Sequence, residues 1–243
     1  MQWKNLLRKI ASLSIMGACA ALTFNTGGLA QAQQDTSLTA IDILLDPGET
    51  MVKHAKEANT RLLENYPAGF ALGKTHHPHI SVLQRYVRTK DLDKVYAAVQ
   101  KVTAVENPVG MELQATGYYF LSWKGSGLAG IVVKPTAALL RFQKKLIDAV
   151  APFTAADGTA AAFVPRADGE KINEPTVEYV NQFVPKEIGK NYNPHVTVGV
   201  GKEYFVKQMK AEPFAPFTFK ILGVNVYHLG DFGTAQEKLW PLQ

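Results

Sequence analysis

Two stretches share one pattern: Pro78-His79-Ile80-Ser81-Val82 and Pro194-His195-Val196-Thr197-Val198. In each of them a histidine and a hydroxyl residue stand two positions apart, and β-branched apolar residues separate and follow them. This alternation has the period of a half-buried β-strand, so each copy directs an imidazole and a hydroxyl to one face and apolar side chains to the other. Two such strands side by side predict a polar cleft.

The segments around these strands predict an α+β fold. Helices are indicated by apolar stripes at spacings of three and four residues, in Met51-Ala55-Ala58-Leu62, Leu92-Val95-Val99-Val102 and Leu139-Phe142-Leu146-Val150. Further strands are indicated by β-rich runs at Thr39–Leu45, Met111–Thr116, Tyr118–Trp123, Leu128–Val133, Phe217–Lys220, Leu222–Tyr227 and Lys238–Leu242. We therefore expect two sheets with outer helices, arranged as two lobes around a central cleft.

Local signals predict where several helices begin. Asp46-Pro47-Gly48-Glu49 has the form of a capping box, with Asp46 as the N-cap of the first helix. Pro135-Thr136 opens the helix that contains Leu139. A short helix is predicted near Pro175–Phe183, within residues 153–190, where prolines and glycines interrupt any longer element. We expect this long connection to be an insertion that borders the cleft.

Residues 1–32 have the order of a secretory signal peptide. Lys4, Arg8 and Lys9 precede a short apolar stretch, and Ala30-Gln31-Ala32 offers a small-residue cleavage site. Removal of this segment lowers the 26 basic residues to 23 against 21 acidic ones, and the net charge from +5 to +2. The prediction is an exported protein, periplasmic or extracellular, without a membrane span. The less favoured alternative is a lipoprotein anchored through Cys19, the single cysteine.

Two histidines that face each other across a groove suit the cleavage or formation of a phosphodiester. A neutral imidazole can take a proton from the attacking oxygen, and an imidazolium can protonate the leaving oxygen. Ser81 and Thr197 can donate hydrogen bonds to the non-bridging phosphate oxygens, which gain charge in the transition state. His79 and His195 are therefore the candidate acid and base, and their assignment depends on how the substrate is oriented.

At these residues the sequence resembles the 2H phosphoesterase superfamily, which includes bacterial 2′-5′ RNA ligases and cyclic nucleotide phosphodiesterases. The superfamily is named for two His-x-Ser/Thr-x signatures, present here as His79-Ile80-Ser81-Val82 and His195-Val196-Thr197-Val198. The resemblance implies that residues 33–243 form a single bilobal α+β domain with both signatures on central strands. It also implies action on a 2′,3′-cyclic phosphate or 2′-5′ linkage without a metal or other cofactor, with both histidines catalytic and both hydroxyl residues binding phosphate.

Three other residues are candidate substrate contacts. Arg85 shares the predicted face of His79 and could neutralise a phosphate, although a solvated surface charge is the ordinary alternative. Tyr119 could stack on a base, with sheet packing as its alternative, and so could Tyr192, which lies shortly before the second signature. No metal site is predicted, because His76, His77 and His79 alternate along a strand and would not converge.

The sequence therefore predicts an exported hydrolase that cleaves a small nucleotide or oligonucleotide-like phosphate substrate. Two alternatives from other classes remain open: a non-catalytic module that binds a nucleotide or phosphate ligand on the same fold, and a 2′-5′ RNA ligase. The low net charge argues against a stable complex with nucleic acid, because extended contacts with RNA require a basic surface. The oligomeric state is not defined by the sequence.

Overall fold

Eight strands and five α-helices make up the fold in the computed structural model, which describes residues 36–241. The strands are β1 (Leu38–Pro47), β2 (Ile80–Arg88), β3 (Glu112–Trp123), β4 (Ser126–Val133), β5 (Thr154–Ala155), β6 (His195–Lys202), β7 (Phe217–Leu229) and β8 (Ala235–Pro241). The helices are α1 (Glu49–Asn65), α2 (Leu92–Glu106), α3 (Ala137–Val150), α4 (Glu174–Lys186) and α5 (Glu203–Ala211). The predicted signal peptide and Cys19 lie outside the described residues. Within them, no helix has the length and apolar character that crossing a membrane requires.

The strands join in an antiparallel network that follows the order β1, β2, β6, β4, β3, β7 and β8. Strand β7 contributes to two halves of this network, because Phe217–Lys220 pairs with β3 and Ile221–His228 pairs with β1. The halves also meet between the two motif strands, where Ile80 of β2 pairs with Val196 of β6. The α+β class and the paired motif strands are thus confirmed, and the two predicted sheets are two halves of one continuous sheet.

Helices pack on the side of each motif strand that faces away from the cleft. The predicted stripe of α1, Met51-Ala55-Ala58-Leu62, is buried, as is the stripe of α3, Leu139-Phe142-Leu146-Val150. Both stripes belong to one apolar core with the motif residues Ile80, Val82, Val196 and Val198, all of which are fully buried. The apolar side of each motif therefore anchors its strand, and the polar side is left to the cleft.

Some element boundaries differ from the predicted ones. The pairs of short strands predicted on either side of Gly117 and Ile221 are single long strands, because pairing with neighbours continues through both positions. Asp46 is not the N-cap of α1, since β1 extends to Pro47 and the N-cap residue is Gly48. The Asp46 carboxylate instead accepts hydrogen bonds from the side chains of His77 and Asn225.

A β-bulge interrupts the first motif strand directly after its hydroxyl residue. Ile43 of β1 pairs with Leu83 of β2, and the next residue, Leu44, pairs with Ser81. Val82 is therefore an extra residue on β2. Because side chains alternate along a strand, the insertion of one residue reverses the face that every later side chain occupies.

The second motif strand carries a bulge at the equivalent position. Ala129 of β4 pairs with Gly199 of β6, and Gly130 pairs with Thr197, so Val198 is the extra residue. Both motifs thus end in a bulged valine. In each strand the side chain that next reaches the cleft is three positions beyond the hydroxyl residue: Gln84 on β2 and Val200 on β6.

Candidate active site

A cleft of about 900 Å³ is lined by residues of both motif strands. His79 and Ser81 contribute from the first motif, and His195 and Thr197 from the second, so all four motif residues line one cavity as predicted. The predicted insertion also borders it, because residues 164–168 and part of α4 form one wall. The predicted catalytic and phosphate-binding residues are therefore brought together.

The two histidines are held in the same way. Nδ1 of His79 donates a hydrogen bond to the carbonyl oxygen of His77 (2.6 Å), and Nδ1 of His195 donates one to the carbonyl oxygen of Asn193 (2.7 Å). A carbonyl oxygen only accepts, so Nδ1 carries a proton in each ring. In both cases a proline separates the histidine from the accepting residue, and its fixed φ angle defines the path of the chain between them. This leaves Nε2 of each ring for chemistry.

Asp42 of β1 lies beside the first histidine and is completely buried. Its Oδ2 atom accepts hydrogen bonds from Oγ of Ser81 (2.5 Å) and from Nε2 of Gln84 (3.0 Å). The same Oδ2 atom is 3.4 Å from Nε2 of His79. The carboxylate therefore connects the histidine and the hydroxyl residue of the first motif, and the second motif has no such partner among the contacts described.

The pKa values of the two histidines shift in opposite directions. Burial alone would lower the pKa of His79, but the hydrogen bond and charge of Asp42 outweigh it and raise the pKa above 6.5. Burial lowers the pKa of His195 to about 4, and the positive charge of His79 adds to this effect. At a pH between these two pKa values the cleft therefore holds one protonated and one neutral imidazole.

Tyr119 of β3 reaches across β4 to the second motif. Its ring meets the ring of His195 edge-to-face, with centroids 4.6 Å apart. The Tyr119 hydroxyl is buried near Thr197, yet it makes no hydrogen bond of good geometry within the described residues. Burial raises the pKa of this hydroxyl, which keeps it protonated. A buried donor at a cleft that lacks a hydrogen bond of good geometry is suited to a ligand oxygen.

The absence of a side chain at Gly130 makes room for this tyrosine. A Cβ atom at Gly130 would lie 2.3 Å from Cε1 of Tyr119. We expect Gly130→Ala to displace the ring and to lower the free energy of unfolding by about 1–3 kcal/mol, the usual cost of overpacking. Denaturant unfolding of the purified variant measures this loss.

Gly117→Ala is the matched control, because a Cβ at that position of β3 would meet nothing within 4 Å. Its free energy of unfolding should change by less than about 1 kcal/mol in either direction. Equal losses for the two alanine variants would contradict the packing of Tyr119 against Gly130.

Arg85 does not line the cleft, contrary to the prediction. The bulge at Val82 reverses the alternation beyond Ser81, so Gln84 takes the cleft position. The Arg85 guanidinium instead lies near Thr154 Oγ1 (3.4 Å) and the carbonyl oxygen of Ala155 (3.3 Å). Arg85 therefore holds β5 beside β2.

Tyr192 is also absent from the cleft lining. It is 6% exposed and packs in the main core, where its hydroxyl donates a hydrogen bond to the carbonyl oxygen of Ser81 (2.6 Å). It lies shortly before the second motif in the sequence, but its side chain points towards the backbone of β2. Tyr192 thus joins the backbones of the two motif strands and does not reach a base in the cleft.

The three neighbouring histidines diverge. His76 stacks on Phe70 with ring centroids 4.5 Å apart, whereas Nε2 of His77 is 2.9 Å from Oδ1 of Asp46. His79 has its own partners in the cleft. Within residues 36–241 no three histidine, cysteine, aspartate or glutamate side chains are grouped closely enough to hold a metal ion.

Two residues of the site, Asp42 and Gln84, were not predicted from the sequence. Asp42 stands in the strand Thr39–Leu45, where a single acidic residue interrupts a run of buried apolar ones. A charge within a buried strand is rare unless it is paired, and this was the available signal. No signal identified Gln84, since its position depends on the bulge.

This fold, in which the two motif strands pair at the centre of an antiparallel α+β structure, is similar to that of solved structures. Among solved structures, TT0787 of Thermus thermophilus is similar with a TM-score of 0.50 and 15% identity, over 83% of this chain and 96% of that chain. Escherichia coli LigT in its apo form has a TM-score of 0.39 and 10% identity, over 85% of this chain and 95% of that chain. Usb1 of Kluyveromyces marxianus has a TM-score of 0.37 and 10% identity, over 86% of this chain and 99% of that chain.

No family model and no curated protein sequence matches the chain. The structural similarity to TT0787 concerns the fold. The α+β fold that the resemblance implied is therefore confirmed.

Proposed function

We propose that this protein is a metal-independent phosphoesterase that hydrolyses a 2′,3′-cyclic phosphate or a 2′-5′ phosphodiester with His79 and His195 as acid and base. One observation carries the proposal. The two imidazoles line one cleft, each is oriented by a backbone carbonyl, and their pKa values shift in opposite directions. Concerted acid–base catalysis requires one protonated and one neutral group.

In the proposed reaction neutral His195 acts as the base. Its Nε2 takes a proton from a water molecule while the water oxygen forms a bond to phosphorus. The bond between phosphorus and the leaving oxygen breaks, and Nε2 of His79 gives that oxygen its proton. The products are a phosphate monoester and a free hydroxyl group. Asp42 stabilises the imidazolium form of His79 before the transfer.

The phosphate oxygens have donors on the second motif strand and beside it. Thr197 lines the cleft, and the Tyr119 hydroxyl is buried near it without a hydrogen bond of good geometry. We assign both as donors to the non-bridging oxygens. The Ser81 hydroxyl already donates to Asp42, so it contributes to phosphate binding only after its proton rotates away from that carboxylate.

The pH dependence of kcat/KM should be bell-shaped. Activity should rise as His195 loses its proton near pH 4 and fall as His79 loses its proton at a pH above 6.5. The rate of product formation between about pH 3 and about pH 10 measures both limbs, and a chelator should leave the profile unchanged. A single rise towards high pH, without an alkaline limb, would contradict the role of His79 as the acid.

The decisive test is a product screen with the purified protein. Nucleoside 2′,3′-cyclic phosphates and 2′-5′-linked dinucleotides are incubated with the protein, and the products are separated by chromatography. A His79→Ala/His195→Ala double variant serves as the control for contaminating activity. Turnover by the wild-type protein and none by the double variant supports the proposal, and no turnover of any substrate overturns it.

The same purified protein and substrates distinguish the proposed hydrolase from two alternatives, a ligand-binding module and a ligase. Calorimetric titration that detects binding of a cyclic nucleotide without turnover would favour a ligand-binding module. Joining of a 2′,3′-cyclic phosphate end to a 5′-hydroxyl end would favour a ligase. The opposite pKa shifts of the two histidines favour chemistry over simple binding, because binding alone does not require opposite protonation states.

Export through residues 1–32 is part of the proposal. Its support is the order of basic, apolar and small residues in that segment. N-terminal sequencing of the protein recovered from a periplasmic or extracellular fraction should begin at Gln33. A chain that begins at an acylated Cys19 would replace the signal peptide with a lipoprotein anchor.

A further inference from the structure

The charges around the cleft point to one class of substrate: we propose that the protein acts on phosphodiesters whose flanking groups are neutral and discriminates against substrates that carry a second phosphate. This inference rests on the proposed function of the same site. It concerns the two walls beside the histidines. The wall formed by Arg166, Asp168 and Asp231 is called the acidic wall, and the wall formed by β3, β4, β6 and the segment after α1 is called the apolar wall.

The acidic wall contains Arg166, which alone among the described cleft-lining residues has a permanent positive charge. All three nitrogen atoms of its guanidinium group donate to carboxylates. Nε donates to Oδ1 of Asp168 (2.9 Å), Nη2 donates to Oδ2 of Asp168, and Nη1 donates to Oδ2 of Asp231. Both aspartates line the cleft as well, so the three side chains together have a net charge of one negative unit.

The two aspartates are held in place by further donors. Oδ1 of Asp231 accepts hydrogen bonds from the backbone nitrogen of Asn173 (3.0 Å) and from its side-chain nitrogen (2.5 Å). Oδ1 of Asp168 accepts one from the backbone nitrogen of Glu170 (3.1 Å). The hydrogen bond from Arg166 lowers the pKa of Asp168 to about 2, so its charge persists at any assay pH near neutrality. The Arg166 guanidinium is therefore already bound by these two carboxylates.

The described residues of the apolar wall offer no positive charge that could bind a second phosphate. Leu121, Leu128 and Val200 line the cleft on this side, together with the stacked rings of Phe70 and His76. Burial lowers the pKa of His76, which keeps its ring neutral near pH 7. A planar or apolar group, such as a nucleobase or a nucleoside without a terminal phosphate, matches this surface.

A second phosphate near the acidic wall would meet two carboxylates and an arginine whose charge they already balance. Like charges placed together penalise the wrong ligand, and this is a common source of selectivity. The reacting phosphodiester itself carries one negative charge, which His79 balances in its protonated form. We expect the discrimination to be about tenfold or more in kcat/KM at low ionic strength.

The experiment compares adenosine 2′,3′-cyclic phosphate with the same compound phosphorylated at its 5′ position. The purified wild-type protein should hydrolyse the unphosphorylated compound with a kcat/KM at least about tenfold higher. The ratio of the two kcat/KM values should decrease as salt rises from about 10 mM to about 500 mM, because screening weakens repulsion at a solvent-accessible wall. This measurement needs no variant and so does not depend on the folding of one.

Asp168→Asn tests the acidic wall directly. It removes one negative charge from a side chain that is 51% exposed. The ratio of the kcat/KM values for the two substrates should therefore decrease by about threefold or more. Asp148→Asn is the matched control. It removes the same charge from α3, where a 61% exposed aspartate pairs with Lys144 away from the cleft, and it should leave the ratio unchanged.

Each outcome bears on one of the two proposals. Equal rates on both compounds, or a preference for the 5′-phosphorylated one, overturn the inference and leave the phosphoesterase proposal standing. An equal decrease of the kcat/KM ratio in Asp148→Asn and in Asp168→Asn would also overturn the inference, because the effect would then come from the overall charge of the protein. If neither compound is hydrolysed, the proposed function fails and the inference fails with it.

Discussion

Replacement of His79 or His195 by alanine is expected to lower kcat/KM for a 2′,3′-cyclic nucleotide by about 100- to 10,000-fold, the usual contribution of a positioned acid or base to proton transfer. Without His195 the attacking water keeps its proton, and without His79 the leaving oxygen departs as an unstable anion. Steady-state product formation near pH 6 measures both effects.

The double variant should be only slightly less active than either single variant, because the two groups act in one concerted step and their losses do not add. His54→Ala is the control. This histidine is on α1, where it stacks on Phe217 outside the cleft lining, and its loss should leave the activity unchanged. Activity close to that of the wild type in His79→Ala or in His195→Ala would rule out the proposed mechanism.

Asp42→Asn is expected to shift the alkaline limb of the pH profile to lower pH and to reduce kcat/KM at pH 8 by about tenfold or more. Asp42 raises the pKa of His79 against the effect of burial. Without the negative charge, burial favours the neutral imidazole, and the acid is lost as the pH rises. At pH 5 the variant should be closer to the wild type, because more of His79 is protonated there.

A purely structural role for Asp42 would lower the activity equally at every pH. Asp91→Asn is the matched control, since Asp91 is also buried and paired with basic groups, Arg88 and Lys94, but lies outside the cleft lining. That variant should lose stability without any change in the pH profile. If the alkaline limb of the pH profile does not shift in Asp42→Asn, Asp42 is not the cause of the raised pKa of His79.

Much of the fold follows from local patterns. The stripes of α1 and α3 consist of residues that are buried in the structure, and the helix expected near Pro175 is α4. The motif strands pair at Ile80 and Val196, and their polar sides share a cleft. These predictions succeeded because helix and strand periodicities are properties of neighbouring residues.

The substrate contacts were harder to predict. Arg85 was placed in the cleft by extending a regular alternation through β2, and the bulge at Val82 reversed it. Tyr192 was placed there because it is adjacent to the motif in sequence, although its hydroxyl binds the backbone under Ser81. Asp42 was overlooked because its partner Ser81 is 39 residues away along the chain.

The chain's own order of residues thus determined the two His-x-hydroxyl strands, the buried faces of the main helices and the class of the fold. The tertiary structure decided which side chains surround the histidines. A bulge is a property of the register between two strands, and a pKa depends on charges and burial that distant segments supply. Asp42 of β1 and Arg166, which lies between α3 and α4, act on the cleft only because strand pairing and packing bring them there, and no local pattern encodes that arrangement.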